Sequence, residues 1–478
     1  MLFNSIAFCF FLVIVYALYW FLFQKNLKLQ NILLLAASYF FYGFWDWRFV
    51  FLLCLSTVID YAFGIAVHKT VKRKKFYLWL SIINNVGILA VFKYYDFFAE
   101  SFATLLNHSG FSASPILLSI ALPVGISFYT FHGMSYVFDI YRNKIIPTKN
   151  FIDYAVFVCF FPLLVAGPIE RAWHLLPQIQ QKRKFSYRKS VQGIQLMLWG
   201  FFKKIVIADS LSPIVHRIFK DNEHQPVFFL IVGVIYFSVQ IYCDFSGYTD
   251  IARGTAKLFG FELLINFRFP YFSRDIAEFW RRWHISLSSW FRDYLYIPLG
   301  GSKEGTFKGI RNVVIVFLIS GFWHGAHWTF IAWGLLHAVY FLPLLLLKKN
   351  REYTGPIALN SFLPSFLEGL KMLVTYSLVC FAWIFFRADN MTEAFSYIQG
   401  IFTHQFYAPQ NFDPPMYYLP FIIILFFLVE WLCRNHDIEF FFLKFKSNFS
   451  RYAVYFFILF MIFMFGSFKE NTFIYFQF

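Results

Sequence analysis

The sequence predicts an all-α, polytopic integral membrane protein with about ten to twelve membrane-spanning helices. Of its 478 residues, 59% are hydrophobic and only 14% are charged, whereas about a quarter of the residues in a typical soluble chain are charged. Apolar runs close to the length that a spanning helix needs, about 20 residues, recur along the whole chain. Clusters of lysine and arginine lie beside these runs, as is typical of cytoplasmic loops.

These runs predict a single membrane domain over residues 1–478 with three regions. N-terminal transmembrane helices are expected in 1–100, a motif-rich core in 115–345 and C-terminal transmembrane helices in 365–478. The first run is expected to be a retained span and not a signal peptide, because it lacks a basic start and a small-residue cleavage site. The clear runs are 3–23, 29–45, 49–67, 76–98, 227–245, 313–347 with an interruption, 370–386, 417–432 and 452–465.

The basic clusters indicate how the chain is oriented. Residues 68–75, 181–189 and 348–352 carry most of the loop lysines and arginines, so we expect them in the cytoplasm. Residues 100–115 contain no lysine or arginine and are expected on the opposite side. The net charge of +16 raises the alternative of nucleic-acid binding, but the chain has no compact basic and aromatic module. No nucleic-acid partner is therefore expected.

One segment does not fit a simple crossing. Tyr141–Lys144 and Gln181–Lys189 both look cytoplasmic, yet only one apolar run, Phe151–Val165, lies between them. That run ends in "AGPIE", and a Gly-Pro pair stops a helix. We therefore predict a re-entrant or half-buried segment, which a membrane protein tolerates only where protein or a water-filled cavity covers the backbone.

The core also contains amphipathic segments with two alternative interpretations. In Glu278–Gly301, tryptophan, leucine and tyrosine recur at helical spacing and form one aromatic stripe. This stripe is typical of an interfacial helix with arginines that reach the membrane surface, but it is also compatible with the wall of a cavity. Ionisable residues at membrane depth are costly, and Asp250 and Arg253 have the spacing of a structural ion pair.

Two histidines interrupt the apolar sequence of the core at His324 and His327. The pair has too few neighbouring ligands for zinc, so no metal site is expected. His324 fits either a catalytic base or a buried histidine that satisfies a backbone carbonyl. Gly321 and Gly325 favour the first alternative, because they allow a substrate or a backbone to approach closely. On a continuous helix, His337 would lie about 220° around from His324 and need not share its site.

Six blocks in the core resemble the membrane-bound O-acyltransferase superfamily, in its bacterial polysaccharide-acetylating branch. They occur in the family's order and are spread across about half of the chain. The blocks are "PVGISFYTFHGMSYVFDIYR" (123–142), "FPLLVAGPIER" (161–171), "WGFFKKIVIAD" (199–209), "DFSGYTDIARGTAKLFGF" (244–261), "FWRRWHISLSSWFRDYLYIPLGG" (279–301) and "WHGAHWTFIAWGLLHAVY" (323–340).

The resemblance implies a helical ring around a tunnel, one acyltransferase domain, and His324 as the principal catalytic residue. It implies His284 as the second polar residue of the site. No bound cofactor is expected, and acetyl-CoA is the expected acyl donor. Lys203, Lys204, Arg281 and Arg282 would suit its phosphates as point charges.

The resemblance also implies the surroundings of the enzyme. It would lie as a multi-pass protein in the lipid of a bacterial inner membrane. A periplasmic acetyltransferase or acceptor protein would be its partner, and an exported or cell-wall polysaccharide such as alginate or peptidoglycan the final acceptor. Two alternatives remain at this stage: a transporter or flippase for a polysaccharide or lipid-linked sugar, because buried charges and broken helices also mark transport paths, and transfer of another acyl group such as D-alanine.

Overall fold

The computed structural model describes residues 1–164, 167–359, 361–407, 414–436, 438, 441–442, 445, 447–468 and 473–474. Within these residues the regular structure is helical, which confirms the predicted fold class. Nine helical stretches there are long and apolar enough to cross a membrane, and Ile6–Leu22 is a shorter apolar helix. The first two apolar runs of the sequence, 3–23 and 29–45, are not among the nine, because their helices Ile6–Leu22 and Leu27–Gly43 are shorter than 18 residues.

The α-helices differ in length from four to 32 residues. They are α1 Ile6–Ala17, α2 Leu27–Gly43, α3 Arg48–Lys69, α4 Lys74–Leu89, α5 Tyr95–His108, α6 Ile126–Tyr141, α7 Phe151–Cys159, α8 Phe161–Leu164, α9 Ala172–Gln180, α10 Tyr187–Phe201, α11 Asp209–Lys220, α12 Val227–Leu258, α13 Ile276–Arg282, α14 Ile285–Phe291, α15 Thr306–His324, α16 Trp328–Leu346, α17 Phe366–Arg387, α18 Met391–Thr403, α19 Pro414–Cys433 and α20 Asn448–Phe465. Short π-helical stretches extend α1, α4, α10 and α14.

The chain forms two compact units. The first contains Met1–Gly193 and Thr255–Leu264, and the second contains Ile194–Gly254 and Ile265–Phe478. The division into 1–100, 115–345 and 365–478 stays a prediction about function along the chain, since these units are defined by packing.

The first unit contains the segment predicted to be re-entrant, and the helix at its start is too short to cross a membrane. Helix α7 has nine residues, about 13 Å at 1.5 Å per residue, which is less than half of the hydrocarbon thickness. The amide of Asn31 donates to Asp153 Oδ1 at 2.9 Å and to the Ile179 carbonyl at 3.1 Å. Asn31 therefore joins the start of α7 to the last turn of α9, and the re-entrant path between them stays a prediction. Val165 and Ala166, the first residue of the "AGPIE" turn, lie outside the described residues.

A labelling experiment tests this path of the chain. The Gln180 amide donates to Thr148 Oγ1 at 3.0 Å, so the two basic loops that follow α6 and α9 lie on one side of the first unit. In a background without native cysteines, Asn143→Cys and Ser186→Cys should both be protected from an impermeant thiol reagent in intact cells. Both should react once the inner membrane is opened. Labelling of only one of them from outside would mean that the segment crosses fully.

In the second unit, the apolar run 313–347 is not one interrupted helix but a hairpin of α15 and α16. The chain reverses at Gly325–His327, where Gly325 is extended. A Cβ at Gly321 would collide with the Phe330 carbonyl, and one at Gly334 would collide with the Phe317 carbonyl. Gly321 therefore serves the close approach of two backbones, one of the two roles that the sequence left open.

The predicted aromatic stripe of Glu278–Gly301 lies on two helices and not on one. Helix α13 ends at Arg282, and α14 begins at Ile285. His284 stands between them in the left-handed conformation, with φ 42° and ψ 54°, which is strained for a residue other than glycine. Trp283, Trp290 and Tyr294 are buried. The alternative of an interfacial aromatic belt is therefore wrong for these side chains.

Candidate active site

His324 is the last residue of α15 and lies in an aromatic environment. Its side chain is buried, with 3% of the residue exposed. The ring centroid lies 4.8 Å from that of Trp323, 5.1 Å from Trp333 and 5.3 Å from Phe386. Three helices of the second unit, α15, α16 and α17, thus supply its surroundings. Such a site excludes water, and exclusion of water strengthens electrostatic interactions with a reacting group.

His284 reaches the same neighbourhood from the junction of α13 and α14. Its ring lies 4.7 Å from that of Phe245 and 6.1 Å from that of Trp323. Trp323 therefore contacts both of the histidines that the sequence singled out. The structure brings His284 and His324 together around one indole ring, although 40 positions separate them in the sequence.

The conformation of His284 is held by the irregular segment before α13. The backbone N–H of Ile285 donates to the Asn266 carbonyl at 2.9 Å, and that of Arg268 donates to the Arg282 carbonyl at 3.0 Å. These two bonds fix the chain on both sides of the left-handed residue. Strained conformations persist where the surroundings determine them strongly, and they cluster at functional sites.

The polar atoms of His284 have no hydrogen-bond partner among the described residues. The residue is 1% exposed, and burial lowers the pKa of His284 to about 3. The ring is therefore neutral at neutral pH, with one nitrogen that donates and one that accepts. A buried polar group without a partner costs about 1–3 kcal/mol, so this ring is better suited to meeting a substrate than to stabilising the fold.

His337 lies in the aromatic cluster around His324, although a continuous helix did not require the two histidines to share a site. The hairpin of α15 and α16 returns His337 to this cluster. Its ring lies 4.9 Å from Trp333, the residue that also contacts His324. The i, i+4 spacing of Trp333 and His337 was the signal that could have found it. His327, in contrast, is exposed and precedes α16, so the two histidines of the original pair do not share one helical face.

Lys203 and Lys204 lie in a π-helical stretch, Phe202–Ala208, and both are buried in ion pairs. Lys203 Nζ lies 2.6 Å from Asp250 Oδ2, and Lys204 Nζ lies 2.8 Å from Asp209 and 2.7 Å from Asp244. Their charges are thus already balanced by carboxylates, which favours a structural role over contact with donor phosphates.

The ion pair predicted from Asp250 and Arg253 is present, with 3.7 Å between Oδ1 and NH1. Both residues line a cavity of about 30 Å³ together with Lys203, Asn266 and Glu430, which is room for about two waters. Lys203 lies closer to Asp250 than Arg253 does, at 2.6 Å. The polar residues after the apolar part of α12 therefore form a connected buried network and not an isolated pair.

Arg281 and Arg282 lie at the end of α13 and contact the basic loop after α16. Arg281 donates to the carbonyls of Asn350 and Tyr353 at 2.8 and 2.7 Å. Arg282 pairs with Glu278 at 2.8 Å and donates to the Gly355 carbonyl, in the same loop, at 3.5 Å. These contacts place both arginines beside the loop that the sequence predicts to be cytoplasmic. Their role toward donor phosphates stays a prediction.

Comparison with known proteins shows which enzymes the chain resembles. Residues 35–355 match the membrane-bound O-acyltransferase family. The chain is 37% identical over 410 residues to a probable alginate O-acetylase of Azotobacter vinelandii, covering 84% of this chain and 78% of the relative. It is 37% identical over 432 residues to a peptidoglycan O-acetyltransferase of Helicobacter pylori, with 84% and 80% covered. A teichoic acid D-alanyltransferase of Streptococcus thermophilus is 28% identical over 286 residues, with 55% and 68% covered.

Proposed function

Because the chain belongs to the membrane-bound O-acyltransferase family, we propose that it moves acetyl groups from cytoplasmic acetyl-CoA across a bacterial inner membrane. The groups serve the O-acetylation of an exported or cell-wall polysaccharide. Family membership makes the chain an O-acyltransferase and replaces the alternative of a transporter or flippase. The proposal concerns the identity of the acyl group, its donor and its acceptor, and the direction of transfer.

The single observation that carries the proposal is the pair of buried histidines that share Trp323. His324 lies 4.8 Å and His284 6.1 Å from that indole ring, centroid to centroid. Transfer of an acyl group to a hydroxyl needs a base with an ordinary pKa near neutrality and a polar group for the developing oxyanion. Two imidazoles in one apolar environment supply both.

The reaction proceeds through a tetrahedral intermediate. The acceptor hydroxyl gives its proton to the imidazole of His324, and its oxygen forms a bond to the thioester carbonyl carbon. The carbonyl electron pair moves onto oxygen, where His284 donates a hydrogen bond. When the C=O bond forms again, the C–S bond breaks, and the thiolate takes the proton from His324. The products are an ester and coenzyme A, and no proton is gained or lost.

Charge and identity support the donor and the acyl group. The basic loop of residues 348–352 and the arginines beside it offer a positive entrance on the predicted cytoplasmic side, as a phosphate-bearing thioester requires. The two O-acetylating relatives resemble this chain over 84% of its length at 37% identity. The D-alanyl relative aligns with only 55% of this chain, at 28% identity. An acetyl group is therefore favoured, and a periplasmic acetyltransferase or acceptor protein is the partner that would carry it to the polysaccharide.

The acyl group can be identified in cells. Envelope and extracellular polysaccharides from cells with and without the gene are treated with mild base, and the released acids are separated. We expect ester-linked acetate to disappear from one polysaccharide in the deletion strain and to return with the plasmid-borne gene. Loss of D-alanine instead, or no change in any ester, would contradict the proposal.

His284→Ala should lower the acyl-transfer rate by less than His324→Ala, because water can replace part of an oxyanion donor. The double variant should be only slightly slower than His324→Ala alone, since groups that act as a unit are not additive. Rates are measured as label transferred from acetyl-CoA in membrane vesicles at equal protein level. Fully additive losses would place His284 outside the reaction.

A further inference from the structure

Two aromatic residues on α16 have N–H groups that the proposed reaction has not yet used. Trp333 and His337 are one helical turn apart, and their ring centroids are 4.9 Å apart. Trp333 contacts His324 at 5.1 Å. The hairpin of α15 and α16 therefore places this pair beside the proposed base.

The hydrogen bond from Trp280 fixes which nitrogen of His337 carries the proton. Indole is a donor only, and Trp280 Nε1 lies 3.3 Å from His337 Nδ1. His337 Nδ1 is therefore the acceptor, and in the neutral ring the proton is on Nε2. His337 thus presents Nε2–H as a donor, just as Trp333 presents its indole N–H.

Neither donor has an acceptor within the residues that the structure describes. Trp333 Nε1 and His337 Nε2 are both buried without a hydrogen-bond partner, and both residues are 0% exposed. Buried donors are almost always satisfied, and two unsatisfied ones on adjacent turns destabilise the fold. Because these two donors lie beside His324, their missing acceptor points to a group that arrives with the substrate.

We propose that the indole N–H of Trp333 and the Nε2–H of His337 donate hydrogen bonds to the acyl carbonyl oxygen during transfer. This inference rests on the proposed function, since it assigns two further groups to the same reaction. The oxygen gains negative charge when the acceptor hydroxyl attacks, and donors already in place then stabilise it in a site that excludes water. No additional proton or electron moves, because both groups only donate hydrogen bonds.

Trp333→Phe tests the assignment, because it removes the N–H and keeps most of the ring. We expect kcat to fall by about 10²- to 10³-fold, as for the loss of one oxyanion donor, with KM for acetyl-CoA within threefold of wild type. Trp290→Phe is the control for replacing a tryptophan: Trp290 is also buried, on α14, and this variant should keep kcat within threefold. The elution volume on size exclusion and the melting temperature of each purified variant in detergent show whether it is folded.

His337 offers a test that does not depend on the tryptophan variant. His337→Gln keeps a donor at the position of Nε2 and should retain most of the activity. His337→Met has a similar volume without a donor and should lose about 10²-fold in kcat. If the glutamine variant were as slow as the methionine variant while both fold, His337 would be structural.

A donor analogue tests contact with the carbonyl oxygen itself. Dithioacetyl-CoA carries sulfur in place of that oxygen and accepts hydrogen bonds poorly. The slowing from acetyl-CoA to this analogue should be at least tenfold larger in the wild type than in Trp333→Phe. Equal slowing in both would overturn the assignment. If the wild type transferred no acetyl group, the proposed function would fail as well; wild-type transfer with an equally active Trp333→Phe would remove only the two donors.

Discussion

His324→Ala is expected to abolish acyl transfer while the protein inserts into the membrane at near-normal abundance. In the proposed reaction, this imidazole takes the proton of the acceptor hydroxyl. General-base catalysis contributes about 10²- to 10⁴-fold. The substitution removes a buried ring at the end of α15 but leaves the glycine contact with α16 in place, so the hairpin should persist.

His327→Ala is the control for this variant. His327 is also a histidine, three residues further on, but it is exposed at the turn before α16. The His327→Ala variant should transfer acetyl groups at the wild-type rate. Activity of His324→Ala within threefold of wild type, at equal protein level, would remove His324 from the mechanism.

Lys204→Met is expected to destabilise the protein strongly. Lys204 Nζ lies between Asp209 and Asp244, at 2.8 and 2.7 Å, and all three side chains are almost completely buried. Removing one partner of a buried ion pair leaves an uncompensated charge and costs about 3–5 kcal/mol. We expect a large loss of folded protein in the membrane and a lower melting temperature in detergent.

Lys308→Met provides the comparison for Lys204. Lys308 pairs with Glu304 at 2.8 Å, but about half of each side chain is exposed, and exposed pairs contribute little to stability. This variant should keep normal abundance. If Lys204→Met were as abundant as wild type and raised the KM for acetyl-CoA more than tenfold, Lys204 would bind donor phosphates as the sequence resemblance implied.

The sequence contains enough information for the fold class. Hydropathy predicts the spans because the bilayer forces backbone groups to pair within a helix. The conflict between two cytoplasmic loops and one apolar run predicts a re-entrant segment. The contacts of Asn31 with Asp153 and Ile179 bring α7 and α9 together, as that prediction requires.

Helical periodicity could not locate the break at His284 or the reversal at Gly325. Both are set by tertiary contacts. The backbone of Asn266 holds the residue after His284, and glycines at Gly321 and Gly334 let α15 and α16 approach closely. A continuous helix through either point gives wrong neighbours, so the sequence alone did not bring His337 to the site of His324.

The partners of the two lysines were also out of reach of the sequence. The pair of Asp250 and Arg253 has helical spacing and was predicted, whereas Lys203 reaches Asp250 from another helix. Long-range ion pairs have no periodic signature. A basic residue in an apolar block thus fits a ligand site and a buried pair equally well until its neighbours are known.

Transfer of label from acetyl-CoA in inside-out membrane vesicles is the most direct test of the central claim. Such vesicles from cells that produce the protein expose the cytoplasmic face to added acetyl-CoA labelled in the acetyl group. With the wild type, we expect label in base-labile esters of material enclosed in the vesicles, and none with His324→Ala at equal protein level. Equal labelling by both proteins, or labelling only when acetyl-CoA is supplied to right-side-out vesicles, would contradict it.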